Sequence, residues 1–414
     1  MSIKLRLTIM LFLQFFVWGS WLISLGGYMI ITLKFSGTQV GSIYATLGIG
    51  AMFMPALIGI IADKWINAEK VYAISHLIGA MLLFLASQTT SFDSMYIIIL
   101  FVSMFYMPTI GLSNAVSYNV LNQNNFEVIK TFPPIRVWGT VGFIVAMWSV
   151  DFASWTLSAH QLYVGAAASL LLGIYSFTIP SCPPSVEKCE KSLISSLGLD
   201  ALVLFKEKKM AIFFTFSMLL GVALQVTNTF GQPFLHDFSD AYADSFAVQH
   251  PGILMSISQM SESMFILVIP FFLYKFGIKK VMLMSMFAWV FRFGFFGLGN
   301  PGDGLWLLIL SMLIYGMAFD FFNISGSLFV EKEANPKIRA SAQGMFMIMT
   351  NGVGAFIGGT LSGLVVDHFT VNGVSNWPYI WFTFAAYAFV VGVAFMFLFK
   401  YEHNPDEFID VKGD

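Results

Sequence analysis

The sequence predicts an all-α membrane protein in which twelve transmembrane helices form two six-helix bundles. Of its 414 residues, 57% are hydrophobic and only 11% are charged, whereas a soluble protein carries about 25% charged residues. Its surface must therefore face lipid. The apolar runs are long and continuous, which favours helices over the short alternating strands of a membrane barrel. This composition excludes most soluble enzymes and nucleic-acid binders, and we expect no nucleic-acid partner.

The individual spans follow from the length of a membrane-crossing helix, which needs about 20 mostly apolar residues. Charged residues, prolines and glycines interrupt the apolar runs and mark the ends of the segments. The predicted spans are 6–33, 39–62, 70–90, 93–118, 133–153, 160–180, 208–232, 250–274, 278–299, 304–330, 338–366 and 376–400. The first run continues beyond Tyr28 without a small-residue cleavage site, which predicts a retained span and not a signal peptide.

The positions of lysine and arginine predict the orientation, because short cytoplasmic loops accumulate these residues. With Lys4 and Arg6 placed inside, the loops on that side collect nearly all loop lysines, and the outer loops contain Lys34 alone beside several aspartates. Both termini are therefore predicted to be cytoplasmic. Mean hydropathy is +0.77, and the formal charge of −2 indicates no polyanionic partner.

The longest polar interruption divides the chain into two halves. We predict an N-terminal six-helix bundle at 1–180, a cytoplasmic linker at 181–207, a C-terminal bundle at 208–400 and a cytoplasmic tail at 401–414. Two bundles that rock about a site near the membrane midplane are the usual basis of alternating access. This organisation indicates a transporter.

A short motif at the end of the second span supports this interpretation. Gly59 precedes Asp63 and Lys64 in a G-x-x-x-D-K turn, in which glycine permits close helix approach and the charged pair can hold a cytoplasmic gate. The turn resembles the loop motif of the major facilitator superfamily. We therefore predict a gating role for Asp63 and Lys64.

Four ionisable residues fall within the predicted spans: Arg136, Glu262, Arg292 and Asp320. A charge near mid-bilayer costs several kcal/mol unless it is paired or hydrated, so each is a candidate functional residue. The alternative is structural pairing, since two positive and two negative charges can neutralise one another. For Arg292, which has no polar neighbour on its own helix face, structural pairing is the preferred interpretation.

Polar and aromatic residues at helical spacing predict which helix faces line a cavity. The faces combine a cation, a hydroxyl, carboxamides, carboxylates and aromatic rings, at Arg136, Thr140 and Phe143, at Gln225 and Asn228, at Gln259 and Glu262, and at Tyr315, Phe319, Asp320 and Asn323. Interhelical hydrogen bonding by the amides is the alternative. Carboxamides suit a base edge or sugar hydroxyls, and rings stack on a planar base. The predicted substrate is polar, neutral and partly planar, which leaves sugar and nucleoside open.

Six stretches of sequence carry a resemblance to a known family. They are FFVWGSW at 15–21, FMPA at 53–56 running to ADKW at 62–65, FPPIRVWGT at 132–140, MSISQ at 255–259, AFDFFNISG at 318–326 and RASAQG at 339–344. With these stretches the chain resembles, along essentially its whole length, the nucleoside:proton symporters of the major facilitator superfamily, in particular the broad-specificity bacterial members.

The resemblance implies proton-driven uptake of purine and pyrimidine nucleosides, such as uridine and adenosine, across the bacterial inner membrane. The matching substrate-binding residues are Arg136, Thr140, Phe143, Gln225, Asn228, Gln259, Glu262, Tyr315 and Phe319. Asp320 falls in a matching motif as a coupling or gating residue. We expect a functional monomer, embedded in the lipid bilayer, with no cofactor and no metal ion.

Uphill uptake requires a group that binds a proton outside and releases it inside, and a carboxylate in a low dielectric is suited to this task. Glu262 lies nearest mid-span and is the first choice, followed by Asp320. A sugar or xanthosine symporter of the same fold is the alternative function. The six histidines are scattered, which argues against an integral-membrane enzyme, and a channel needs neither two bundles nor a buried carboxylate beside amides.

Overall fold

The computed structural model describes residues 2–184, 199–336 and 338–402. Within these ranges the chain is nearly all helical. The α-helices are α1 (Ile3–Gly19), α2 (Leu25–Gly27), α3 (Gly37–Lys64), α4 (Ala68–Gln88), α5 (Phe92–Gln123), α6 (Val128–Phe152), α7 (His160–Ser176), α8 (Lys208–His236), α9 (Phe246–Gln249), α10 (Pro251–Leu298), α11 (Leu305–Glu333), α12 (Arg339–Met347), α13 (Ala355–His368) and α14 (Trp377–Leu398). Two π-helical segments, Tyr28–Thr32 and Ile348–Gly354, and a 3₁₀ helix, Leu199–Lys206, complete the helical structure.

Nine helices in the described part of the chain are long and apolar enough to cross a membrane. The longest, α10, bends at Gly277, whose φ of 75° is accessible to glycine and unfavourable for other residues. The predicted spans 250–274 and 278–299 lie on either side of this bend. Each of the other predicted spans also overlaps a helix, and the all-α membrane fold is confirmed. The count of twelve crossings and the cytoplasmic location of both termini stay predictions.

Two features differ from the sequence-based expectation. The first span is not one regular helix, because turns separate α1 from α2 and the chain then continues as a π-helical segment. Between α13 and α14 a small antiparallel hairpin pairs β1 (Thr370–Val371) with β2 (Val374–Ser375). Its turn is Asn372-Gly373, with φ of 53° and 80°. Asn-Gly is the preferred sequence of such a turn, so this signal was present in the sequence and was missed.

The chain contains two compact units. The first unit consists of the described part of Met1–Leu197 together with Asn228–Pro233, and the second of the described part of Gly198–Thr227 and Phe234–Asp414. The predicted domain boundaries stay a prediction. Most of the predicted linker (185–198) and of the predicted tail (403–414) lies outside the described residues.

Close backbone contacts hold the helices that carry the candidate site. In the first unit α6 lies directly against α1, and a Cβ atom added at Gly142 would lie 2.1 Å from the carbonyl oxygen of Phe12. In the second unit a Cβ atom at Gly316 would lie 2.5 Å from the carbonyl oxygen of Ser261. Small residues permit this approach in membrane bundles. The second contact brings Glu262, which follows Ser261, to the level of Tyr315 on α11.

Candidate substrate and proton site

The α6 face predicted from spacing lies in the first unit. Arg136 and Thr140 are half-buried, and Phe143 is buried. The guanidinium carbon of Arg136 lies 4.2 Å from the centroid of the Phe15 ring on α1, within the range of a cation–π contact. The close packing of α1 and α6 at Gly142 positions this pair. The aromatic ring of α1 therefore orients the cation that the sequence singled out on α6.

A buried hydrogen-bond network in the first unit was not predicted. Its centre is Gln14, whose Nε2 donates to Thr109 Oγ1 at 2.9 Å. Gln14 Oε1 accepts from the Tyr72 hydroxyl at 2.6 Å and lies 2.8 Å from His76 Nε2. Since that oxygen only accepts, His76 Nε2 carries a proton. An amide and a histidine in apolar helices were the signal that sequence reasoning left unused.

The same network fixes an aromatic pair. The Tyr106 hydroxyl donates to the carbonyl oxygen of Gln14 at 2.7 Å. The Tyr106 ring stacks on Trp18 with centroids 4.5 Å apart and planes 2° from parallel. Trp18 is half-buried, whereas Trp21 beside it is fully buried. The network therefore determines where the flat face of Trp18 lies.

The second unit contains the two predicted intramembrane carboxylates. Asp320 is buried, and its Oδ2 has no hydrogen-bond partner among the described residues. Glu262 is half-buried and close enough to Asp320 for the two charges to repel. Tyr315 lies within electrostatic range of both. The predicted residues of α10 and α11 are thus brought together in one polar region.

An aromatic platform accompanies the carboxylates. The rings of Tyr315 and Phe319 stack with centroids 5.8 Å apart and planes 3° from parallel. Tyr315 is buried, and Phe319 is half-buried. Gln259 lies about one turn before Glu262 and is also half-buried. This arrangement offers a flat ring, an amide and carboxyl groups, which is the chemistry needed to stack and hydrogen-bond a base.

The structure corrects the interpretation of Arg292 as a paired charge. Arg292 is buried, and its NH1 donates to the carbonyl oxygen of Ser311 at 2.7 Å. Neither Arg292 nor Asp320 forms an ion pair within the described part of the chain. The Tyr315 ring lies 4.5 Å from the guanidinium carbon, with Trp289 and Phe296 farther out. An aromatic cage and a backbone carbonyl stabilise the cation in place of a carboxylate.

The remaining predicted residues are less closely grouped. On α8, Gln225 is buried and belongs to the second unit, whereas the half-buried Asn228 belongs to the stretch that groups with the first. Asp63 and Lys64 are exposed at the end of α3. Nearby, the buried Glu69 accepts the backbone N–H of Cys182 at 2.8 Å and the side-chain amide of Asn67 at 3.0 Å. Sequence reasoning missed Glu69, which fixes this loop.

Comparison with known proteins identifies the family of the chain. The family model described as Nucleoside H+ symporter matches residues 1–404. The chain belongs to the nucleoside H+ symporter family. This symporter is 57% identical to the xanthosine permease of Escherichia coli (strain K12) over 98% of both chains. It is 55% identical to the nucleoside permease NupG of the same organism over 97% of both chains.

Solved structures give the same result for the fold. The crystal structure of the nucleoside transporter NupG is 55% identical, covers 97% of the symporter and 100% of the solved chain, and has a TM-score of 0.92. The POT family transporter PepTSo, 13% identical, has a TM-score of 0.72 over 95% of the symporter and 97% of that chain. The resemblance stated from the sequence and the major facilitator fold are therefore confirmed. The roles of individual residues stay predictions.

Proposed function

We propose that this protein is a monomeric proton-coupled importer of purine and pyrimidine nucleosides, including uridine and adenosine, in a bacterial inner membrane. The observation that carries the proposal is the joint placement of Glu262, Asp320 and the stacked Tyr315–Phe319 pair in the second unit. It needs no cofactor, because transport breaks and forms no covalent bond. The two bundles alternate access to the substrate.

Nucleoside binding uses the aromatic and amide groups. The base stacks on the half-buried Phe319, whose ring is held parallel to Tyr315, at about 1–3 kcal/mol per base. Gln259 and Glu262, one helical turn apart, hydrogen-bond the substrate. In this proposal Gln225, Asn228, Thr140 and Phe143 complete the contacts, and Arg136 senses occupancy or holds the inner gate. Asp63 and Lys64 act at the cytoplasmic gate.

Proton coupling uses the two carboxyl groups. Two like charges close together in a low dielectric are unfavourable, so the pair is best accommodated when it holds a proton. The half-buried Glu262 is the proposed carrier, and the buried Asp320 couples its charge to the helix arrangement. Protonation and nucleoside binding together then favour closure of the outer side.

Uptake into proteoliposomes tests the proposal. With an acid bath outside, labelled uridine should accumulate above its external concentration, and a protonophore should abolish the accumulation. Unlabelled nucleosides should compete, whereas sugars should not. Glu262→Gln should equilibrate uridine without concentrating it. Inhibition by sugars but not nucleosides would overturn the substrate assignment, and normal pH-dependent accumulation by Glu262→Gln would exclude Glu262 as the carrier.

Xanthosine specificity is a second candidate, favoured by the 57% identity to a xanthosine permease. Xanthosine is itself a purine nucleoside, so it belongs in the same competition panel. Broad specificity predicts comparable competition by uridine, adenosine and xanthosine. Competition by xanthosine at concentrations about a hundredfold lower than the others would establish the narrower function.

A further inference from the structure

The second unit contains a cavity that only partly coincides with the site described above. Leu220 of α8, Trp289 of α10, Phe319 and Asn323 of α11, and Thr350 and Asn351 are among its lining residues. Its empty volume is about 250 Å³, part of it open to solvent. Polar side chains and aromatic rings meet in its lining.

The backbone that carries Asn351 has an unusual conformation. Ile348–Gly354 is π-helical, between α12 and α13. Its carbonyl oxygen at Thr350 approaches α8 so closely that a Cβ atom at Gly221 would lie 2.1 Å from it. A π-helical turn holds more residues than an α-turn and changes which side chains face a neighbour, and such turns are frequent at functional sites. Here Thr350 and Asn351 line the cavity beside α8 and α11.

The two asparagines of the cavity retain hydrogen-bonding capacity. Asn323 Nδ2 donates to the carbonyl oxygen of Phe319 at 2.9 Å. Asn351 Nδ2 contacts only the sulfur of Met347, at 3.4 Å, a weak acceptor. Neither carboxamide oxygen accepts a hydrogen bond from any described residue. Both side chains are half-buried, so both carboxamide oxygens remain available to a ligand in the cavity.

We propose that Asn351, together with Asn323, is a specificity-determining residue that hydrogen-bonds the edge of the nucleobase stacked on Phe319. This inference rests on the proposed function and extends it to the base. A carboxamide presents a donor and an acceptor side by side, which matches the adjacent carbonyl and N–H of uracil or hypoxanthine. Asn351 lies within the seven-residue π-helical segment and lines the cavity.

Binding of two matched ligands tests the role of Asn351. Inosine carries the carbonyl and N–H on its base edge, and purine riboside lacks the carbonyl but keeps the same ribose and ring. Affinities of the purified full-length protein are measured by competition with labelled uridine. Asn351→Ala should weaken inosine binding about 3–10-fold and leave purine riboside within about twofold. Equal weakening of both ligands, or of neither, would overturn the inference.

Controls distinguish a selective loss of base recognition from misfolding and from a failure of the proposed function. Thr360→Val lies on α13 and removes a hydroxyl that bonds only the carbonyl oxygen of Phe356, at 3.0 Å; it should leave both affinities unchanged. If Asn351→Ala does not fold, Asn351→Ser and Asn323→Ala provide the same comparison and should show the same selective loss for inosine. Absence of nucleoside binding by the unsubstituted protein would instead disprove the proposed function.

Discussion

The polar interiors of the two units differ in how completely their groups are partnered. In the first unit the buried Gln14 uses both ends of its carboxamide, and Tyr72, His76 and Thr109 are its partners. In the second unit Asp320 Oδ2 and Arg292 Nε are buried without a hydrogen-bond partner among the described residues. One interior is a closed neutral network, and the other contains incompletely satisfied charges.

This difference indicates which unit contains the candidate functional charges. Buried polar groups in proteins are normally hydrogen-bonded, and one left unpaired costs about 1–3 kcal/mol, more when charged. Within the described residues the first unit has two such orphans, both neutral: the Trp21 indole nitrogen and the Gln232 carboxamide oxygen. A charge kept at that cost is a candidate for function. We therefore expect the first unit to supply rigidity and the second to supply the proton-coupling groups.

The largest effect is expected at Asp320. Asp320→Asn keeps the shape of the side chain and removes its ability to ionise. A pH gradient of one unit is worth about 1.4 kcal/mol per proton, or tenfold accumulation for one coupled proton. We expect the variant to lose this accumulation while still equilibrating uridine. Uptake into proteoliposomes with and without the gradient measures both.

The matched control for Asp320 is Ser325, which is also buried on α11 and whose hydroxyl has no partner among the described residues. Ser325→Ala removes an orphaned group that cannot ionise at physiological pH, so accumulation should be preserved. If Asp320→Asn concentrates uridine as well as the unsubstituted protein, the unpaired charge of the second unit has no part in coupling.

The second prediction concerns the closed network. Gln14→Leu has a similar volume and leaves the Tyr72 hydroxyl and His76 Nε2 without an acceptor, whereas Thr109 keeps its bond to the carbonyl oxygen of Tyr106. At about 1–3 kcal/mol for each group left unsatisfied, the apparent melting temperature should fall by about 5–10 °C. Thermal unfolding in detergent, followed by fluorescence, measures the shift.

Gln88 is the matched control, because its amide is exposed at the end of α4 and bonds Ser87 and Tyr163 there. Gln88→Leu should change the melting temperature by less than about 2 °C. An equally small change for Gln14→Leu would show that the first interior is not a stabilising network.

The sequence predicted the helices well because apolar runs and charged breaks are local signals. It also placed Glu262, Tyr315 and Asp320 on promising faces, since spacing along one helix is enough for that. It did not show that α10 and α11 touch at Ser261 and Gly316. That contact depends on tertiary packing, and packing alone brings the faces together.

Two other features that the sequence did not predict, the Gln14 network and the placement of Asn351, have the same physical origin. The Gln14 network joins residues up to 95 positions apart in the chain, so no window along one helix contains it. Asn351 was missed because α-helical spacing does not apply within Ile348–Gly354, where the π-helical turns alter the register. The same segment packs closely against Gly221 of α8, a contact between helices that spacing along one helix does not reveal. Helical spacing predicts faces only where the helix is regular.

The third prediction asks whether Arg292 is retained for function or for stability. Removing a buried charge that has no ion-pair partner among the described residues relieves its desolvation cost, so Arg292→Met should not lower the melting temperature. It removes the cation 4.5 Å from the Tyr315 ring, and the loosened ring should raise the KM for uridine about 3–10-fold. Uptake kinetics and thermal unfolding measure the two effects separately.

Arg292→Lys is the companion variant, since it keeps the charge and loses the planar guanidinium. We expect its KM to lie between those of Arg292→Met and the unsubstituted protein. A large loss of thermal stability with unchanged KM in Arg292→Met would reverse the interpretation and place Arg292 with the Gln14 network as a structural group.

The smallest effect is expected at Asp237, a carboxylate of the second unit that does have a partner. Trp377 Nε1 donates to its Oδ2 at 2.6 Å. Partial burial raises the pKa of Asp237 above its ordinary value, the Trp377 hydrogen bond opposes this, and Asp240 adds to it. Because the folded protein then holds the proton more tightly than the unfolded chain, stability decreases as pH rises from about 3.9 through the raised pKa.

Asp237→Asn retains an acceptor for Trp377 and removes this decrease. Asp237 is only partly buried and keeps contact with solvent, which screens its charge, so the change in melting temperature should be only about 1–2 °C at neutral pH. Transport should be unaffected, because the Asp237 carboxylate has Trp377 as its partner, whereas Asp320 Oδ2 has none among the described residues. Melting temperatures of both proteins across this pH range test the first statement. Reduced uridine accumulation by Asp237→Asn would show that a carboxylate of the second unit with a hydrogen-bond partner also contributes to transport.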